Sequence, residues 1–413
     1  MLLVLIVVCG LAYIISKRLY QNIFNPVVIF VGVNILSIVL SLLQNFNFEY
    51  TVDTVVVTFV MFISFLIGII LGVKKGYKRK QLTPNNYYEK NIFRVIVTLG
   101  LIYDIALVGY LHQLFSSYSF IDFFLKLNEV NAYVQSDEYQ ASWFSYVIPL
   151  GMPLFIICLF YLRNYNKNWI IVTQSFLSVL YCISPRRDTL FNLIVVVLFY
   201  FLANFQERYR KNAISKKIVK YIVLVGVGGV LIMSYTQQLL KKDNENPVYV
   251  LSEQIPAYLN SPYLYISLNY PYLQKQELDY SEFPDIPFLA SGRLAYIAIN
   301  RVFGTDFDLH SGFALDFETF DKTYSTNTTP LLYYAYLDLG GAFFLLFILI
   351  GFISQRAYYA MNSNKITDRI FGAMWYTVLT LSFRSYLIVF LTYILSFVYT
   401  YIFSKLLKTR IIK

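Results

Sequence analysis

Apolar residues in this chain come in long, nearly unbroken runs rather than at helical or alternating spacing. The runs cover residues 2–16, 26–43, 54–73, 92–114, 143–162, 169–183, 189–203, 218–235, 330–353, 370–383 and 386–403. A helix crosses the hydrocarbon core with about 20 apolar residues, so the pattern predicts eleven membrane spans. The first run lacks a basic leader and a small-residue cleavage site, and reads as an uncleaved span. Two longer polar segments remain. Residues 236–329 form the larger, and residues 115–142 the smaller, with an apolar patch at Phe120, Ile121, Phe123, Phe124 and Leu125 suited to the membrane interface. The expected fold is all-α, a single polytopic membrane domain over 1–413 with short helices in the large loop. No internal repeat is visible, unlike transporters built from two related halves.

Composition supports this and removes other classes. Of 413 residues, 57% are hydrophobic and 14% charged, against about 25% charged in a soluble domain. That is too little charge to solvate a globular surface, which excludes a cytoplasmic enzyme, a disordered chain and a disulfide-stapled secreted domain. Cys9, Cys158 and Cys182 all lie in apolar runs and define no disulfide framework. With two histidines, a His-rich metal site is not expected. No cofactor is expected either.

The net charge of +10 reads as topology rather than as a nucleic-acid footprint. Lys17 and Arg18, the run Lys74–Lys80, Arg163 with Lys167, Arg208–Lys217, Arg356 with Lys365 and Arg369, and the tail from Lys405 fall in alternate loops. The positive-inside rule then puts the N-terminus outside, the C-terminus in the cytoplasm, and residues 236–329 on the outer face.

Five arginines break that rule. Arg186 and Arg187 sit in a short outer turn, Ser184-Pro185-Arg186-Arg187-Asp188; Arg293 and Arg301 lie in the large loop; Arg384 lies in the last outer turn. Ser before Pro at a helix start reads as N-cap and first helical residue. Two cations in such a first turn oppose the helix dipole, by about 0.3–1 kcal/mol each, and a bound anion reverses the sign. Arginine forks match phosphate oxygens. Two readings stand for these side chains, a specific phosphate ligand and the headgroups of membrane lipid. In the large loop, Ser291–Gly304 reads as a short amphipathic helix with Arg293, Ile297, Asn300 and Arg301 on one face. The tyrosines Tyr263, Tyr265, Tyr270 and Tyr272 suit either an interfacial belt or a sugar-stacking surface. A polar cluster around Asn327 runs into the ninth predicted span, which carries Asp338 and the pair Gly340-Gly341. Candidate bases in the loop are His310, Asp316, Glu318 and Asp321, and the sequence does not choose among them.

In order, these features are a basic outer turn opening a span, a large outer loop with Ser-Gly-Arg-Leu, and Asn-Thr-Thr leading into Tyr-Leu-Asp-Leu-Gly-Gly. The arrangement resembles the Wzy-type O-antigen and capsular polysaccharide polymerases. The resemblance covers roughly residues 181–353; the earlier spans match only in being spans. It implies a GT-C-like, metal-independent, inverting membrane glycosyltransferase of the bacterial plasma membrane, acting at the outer face. Such an enzyme moves a growing glycan from undecaprenyl pyrophosphate onto a lipid-linked repeat unit. The family's basic turn falls on Arg186 or Arg187 and its loop arginine on Arg293. Asn327 and the four tyrosines are the glycan-binding candidates. A flippase and a chain-length regulator are the protein partners implied, and nucleic acid is not. O-antigen ligases share the layout but carry a histidine near the polar cluster, where this chain reads Ser325-Thr326-Asn327-Thr328-Thr329. A lipid-linked oligosaccharide flippase and a structural or sensory membrane protein remain alternatives from other classes.

Overall fold

The computed structural model describes residues 1–20, 24–43, 50–74, 89–117, 143–165, 168–182, 188–208, 262–263, 266, 303–304, 318–321, 324–326, 330–363, 365–383 and 391–408. The fold is helical. In chain order it contains α1 (Leu2–Leu19), α2 (Pro26–Leu43), α3 (Val52–Leu71), α4 (Glu89–Ser117), α5 (Phe144–Val147), α6 (Gly151–Asn164), α7 (Trp169–Val179) and α8 (Asp188–Arg208). A two-stranded ribbon, β1 (Glu318–Asp321) with β2 (Tyr324–Thr326), comes next. It is followed by α9 (Leu331–Leu339), α10 (Phe344–Met361), α11 (Ile366–Leu381) and α12 (Leu391–Lys408). Among the described residues this ribbon is the only strand structure, and the apolar pattern does not predict it.

Ten of the eleven predicted spans fall on these helices, and the eighth (218–235) lies outside the described residues. Among the described residues, five helical stretches are long and apolar enough to cross a membrane: Leu2–Leu19, Val52–Leu71, Glu89–Ser116, Phe144–Asn164 and Gly340–Met361. Leu101, Ile105 and Val108 of α4 are more than half exposed, as residues that meet lipid rather than water are.

One predicted span needs correcting. Residues 330–353 are not one helix. The α9 helix ends at Leu339, and Gly340 takes φ +51°, a conformation that side chains with a Cβ rarely adopt. A 3-10 turn, Gly340–Ala342, then leads into α10. The stretch long and apolar enough to cross is Gly340–Met361, and Asp338 precedes it on a separate short helix. The α11 helix stops at Leu381 and Ser382-Phe383 turn, so the last two predicted spans fall on separate helices, α11 and α12.

The chain divides into two compact units. The first comprises Met1–Tyr77, Leu251–Tyr358 and Val378–Leu391. Its core is aromatic: the Phe30 ring stacks on Phe65 at 4.0 Å and meets Phe62 and Phe347 at 6.2 Å. The backbones of α3 and α10 approach each other closely. A Cβ on Gly68 would overlap the Ile348 carbonyl, and one on Gly351 would overlap the Phe65 carbonyl. Gly72 repeats this one turn on, where an added Cβ would stand 2.6 Å from Gln355 Cβ. Small residues four apart let two backbones meet, which is how helices associate where burial from water contributes nothing.

The second unit comprises Lys78–Val250, Tyr359–Thr377 and Thr392–Lys413. Polar side chains tie its helices through backbone carbonyls. Ser396 donates to Pro149 O at 2.9 Å, Tyr399 to Tyr146 O at 2.6 Å, and Tyr393 to Met374 O at 2.8 Å.

Candidate functional site

The most developed polar cluster among the described residues lies inside the first unit and begins with Asn34. This residue sits midway along α2, 1% exposed, in an otherwise apolar stretch. An unpaired amide there would be costly, and it is fully engaged. Its Nδ2 donates to Phe30 O at 2.7 Å and to Ser382 Oγ at 3.0 Å, while Oδ1 accepts the Tyr263 hydroxyl at 2.6 Å. The Tyr263 oxygen also lies 3.9 Å from Met61 Sδ.

Ser382 is the other centre of the cluster. It stands where α11 ends, and its hydroxyl donates to Leu379 O at 2.7 Å. Its carbonyl accepts the backbone N–H of Leu331 at 2.8 Å. Leu331 is the first residue of α9, whose preceding Pro330 supplies no side-chain cap. The opening N–H groups of a helix have no partner within it, and Ser382 provides one. Nearby in the same unit, Ser41 and Tyr50 share a hydrogen bond, and burial holds the Tyr50 phenol above its ordinary value and so uncharged. Thr58 Oγ1 on α3 is buried with no hydrogen-bond partner.

The arrangement brings together chain segments that are far apart in sequence. Tyr263 belongs to the large loop, yet its ring is completely buried against α2 and α3. It offers no free face to a sugar, which corrects its assignment as a stacking residue. Leu331 follows Asn327 by four residues, and Arg384 follows Ser382 by two.

The ribbon bears on two of the candidate bases. Glu318 pairs with Thr326, Thr319 with Ser325 and Asp321 with Tyr324, leaving Phe320 as the extra residue of a bulge. Arg186, Arg187, Arg293, Arg301, Arg384, His310, Asp316, Tyr265, Tyr270, Tyr272 and Asn327 lie outside the described residues. The helix after the basic turn is described from Asp188 onward.

The second unit holds a polar pair that the sequence reading passed over. Asp104, midway along α4, accepts from Gln174 Nε2 of α7 at 3.0 Å. Gly100, one turn earlier, makes room: a Cβ there would stand 2.6 Å from Gln174 Cδ. The signal was present as a lone carboxylate within an apolar run, since an ionisable group at membrane depth is rare and normally partnered. Among the described residues, no group of three His, Cys, Asp or Glu side chains gathers to hold a metal ion.

No protein family, curated protein or solved structure matches the chain.

Proposed function

We propose that the protein is a membrane glycosyltransferase that polymerises lipid-linked oligosaccharide repeat units into a surface polysaccharide. The observation that carries this reading is the set of five arginines on the face that topology should leave without them, Arg186, Arg187, Arg293, Arg301 and Arg384. The Asn34–Ser382 cluster is compatible with it, because it joins α2, the end of α11, the start of α9 and the loop residue Tyr263.

The chemistry is a displacement at the anomeric carbon of the growing chain. The acceptor sugar's hydroxyl oxygen forms the new bond to that carbon, and the bond from the carbon to the pyrophosphate oxygen breaks. The pyrophosphate leaves with the electron pair on its lipid carrier. Its developing charge is what arginine forks stabilise, most strongly in a site that excludes water. The acceptor's proton passes to a carboxylate or imidazole of the loop, drawn from His310, Asp316, Glu318 and Asp321. The fold in this reading is GT-C-like with eleven spans. The membrane is the bacterial plasma membrane, with the loop outside and the C-terminus inside. The donor and acceptor are both undecaprenyl-pyrophosphate-linked.

Purified protein given lipid-linked repeat units should extend them into a ladder on a gel. Arg186→Ala, Arg187→Ala and Arg293→Ala should each shorten or abolish the ladder without reducing the amount of protein in the membrane. Translocation of the lipid-linked unit without extension would instead identify a flippase. Unchanged polymer in all three variants removes the arginine clamp.

A further inference from the structure

We propose that the shared end of α1, α3 and α10 binds the phosphate of an anionic phospholipid headgroup. The site lies within the first unit. It uses none of the five arginines behind the polymerase reading, so its test is independent of that reading.

Three of the stretches long and apolar enough to cross a membrane come together here, within about two turns of their ends. Gln355 of α10, 2% exposed, is the joint. Its Oε1 accepts the hydroxyl of Tyr20, the residue after α1. Its Cβ would stand 2.6 Å from a Cβ added to Gly72, the residue after α3. The Tyr20 ring also meets Tyr358 edge-on at 4.7 Å. Asn25, fully buried, donates to Ser16 Oγ at 2.8 Å and holds the end of α1 to the start of α2. In the topology read from the charges, this end faces the cytoplasmic leaflet.

Each of the three helices brings a cation within three residues of the joint: Lys17 and Arg18 before Tyr20, Lys74 after Gly72, and Arg356 beside Gln355. Residues 1–25, 54–74 and 339–363, which build the joint, contain no Asp or Glu. The joint therefore supplies no carboxylate of its own to balance these charges. The helix dipole accounts for only some of them. Lys17 and Arg18 lie in the last turn of α1, where a cation is favoured. Arg356 is five residues short of the end of α10, whose last turn carries no basic residue.

The posture of the side chains points to the ligand. A long cation at a membrane surface ordinarily extends toward water. Lys17 instead lies over the Tyr13 ring, 5.8 Å from its centroid, and Arg356 over the Phe352 ring at 4.9 Å. Each ring is one turn nearer the middle of its helix, and Tyr13 is 65% exposed. Ring faces attract these cations, so both charges are held back where the apolar surface begins. Headgroup phosphate lies at that depth. An arginine fork takes two phosphate oxygens, and an ammonium adds a point charge. A zwitterionic headgroup carries the same phosphate with a cation attached, which the basic side chains repel. The charges therefore select a headgroup of net negative charge.

The test is native mass spectrometry of the full-length chain from micelles containing equal amounts of phosphatidylglycerol and phosphatidylcholine. The wild-type chain should retain phosphatidylglycerol in preference. Arg356→Gln and Lys17→Gln should each lower that preference about fivefold, the worth of one basic side chain near an anionic surface. Lys405→Gln removes a cation that also rests on a ring, Tyr401 at 5.2 Å, but in the second unit. It should leave the preference unchanged. A wild-type chain without preference overturns the proposal, as does a preference that neither Arg356→Gln nor Lys17→Gln alters. An equal loss from Lys405→Gln overturns it too, because general charge attraction then suffices. Excess inorganic phosphate should not displace the lipid; displacement would assign the joint to a free anion and overturn the lipid site. If Arg356→Gln does not reach the membrane, Lys17→Gln decides by the same readout, since Lys17 is exposed.

Discussion

The backbone N–H of Leu331 donates to the carbonyl of Ser382 over 2.8 Å, joining the start of α9 to the end of α11. This bond can be removed without disturbing the helix. Pro330 already has the extended backbone that a residue before proline requires, φ −72° and ψ 164°, and proline is well tolerated at a first helical position. Leu331→Pro therefore deletes the donor alone, beyond the loss of a buried side chain. Compared with Leu331→Ala, which loses the side chain and keeps the donor, Leu331→Pro should be less stable by about 1 kcal/mol. Thermal midpoints of the two variants in the same detergent measure the difference.

The crossing of α3 and α10 makes a sharper prediction. At Gly68 and Gly351 any side chain meets backbone carbonyls of the facing helix, which cannot rotate away. Gly68→Val or Gly351→Val should force the helices apart at a cost of at least about 1–3 kcal/mol, seen as loss of folded protein by size exclusion. Gly10 and Gly32 lie on α1 and α2 with nothing within 4 Å of a Cβ. Gly10→Ala and Gly32→Ala should be neutral or raise the thermal midpoint, because alanine favours helix by about 0.8–1 kcal/mol.

Sequence and structure agree most where a single physical term dominates. The length of an apolar run sets the length of an apolar helix, so α2 covers residues 26–43 as the pattern predicts. The break at Gly340 was not readable in that way, because hydropathy does not register a positive φ within an apolar run. Tyr263 fails for a different reason. A tyrosine in a polar loop has no periodicity to show which face is buried, and only the distant partners Asn34 and Met61 settle it. The bulge at Phe320 belongs to the same class, since it depends on the pairing of two short strands. The arginines were singled out by the charge pattern of the sequence, and all five lie outside the described residues. The Asn34–Ser382 contact was not legible, because α2 and the turn after α11 are joined only by the tertiary fold.

Asp104 and Gln174 should behave as a structural pair across α4 and α7. Asp104→Asn retains the acceptor oxygen and removes the charge, so it should be neutral or mildly stabilising at membrane depth. Asp104→Leu leaves the Gln174 amide without its partner and should cost about 1–3 kcal/mol. The double variant Asp104→Leu, Gln174→Leu should recover part of that loss, because neither polar group then remains buried alone. A double-mutant cycle on thermal or denaturant midpoints reports the coupling, expected near 0.6 kcal/mol and no more than about 1.7 kcal/mol. Additive effects would remove the pair from the account.

The tyrosines of the large loop should divide into two kinds. Tyr263 has its ring enclosed and its hydroxyl donated to Asn34 Oδ1. Tyr263→Phe keeps the ring and strands that acceptor, so it should lower stability by about 1–3 kcal/mol. Its KM for lipid-linked glycan should be unchanged, since the ring offers no surface to a substrate. Tyr263→Ala adds an empty aromatic volume and should cost about 3–5 kcal/mol, enough to deplete the folded protein. Tyr265, Tyr270 and Tyr272 remain the sugar-stacking candidates of that segment. Their replacement by Ala should raise KM for the glycan while the thermal midpoint stays within the range of surface substitutions. Measuring midpoint and KM on the four single variants separates the two kinds. A Tyr263→Phe protein with wild-type stability and a raised KM would return Tyr263 to the substrate surface and remove it from the core.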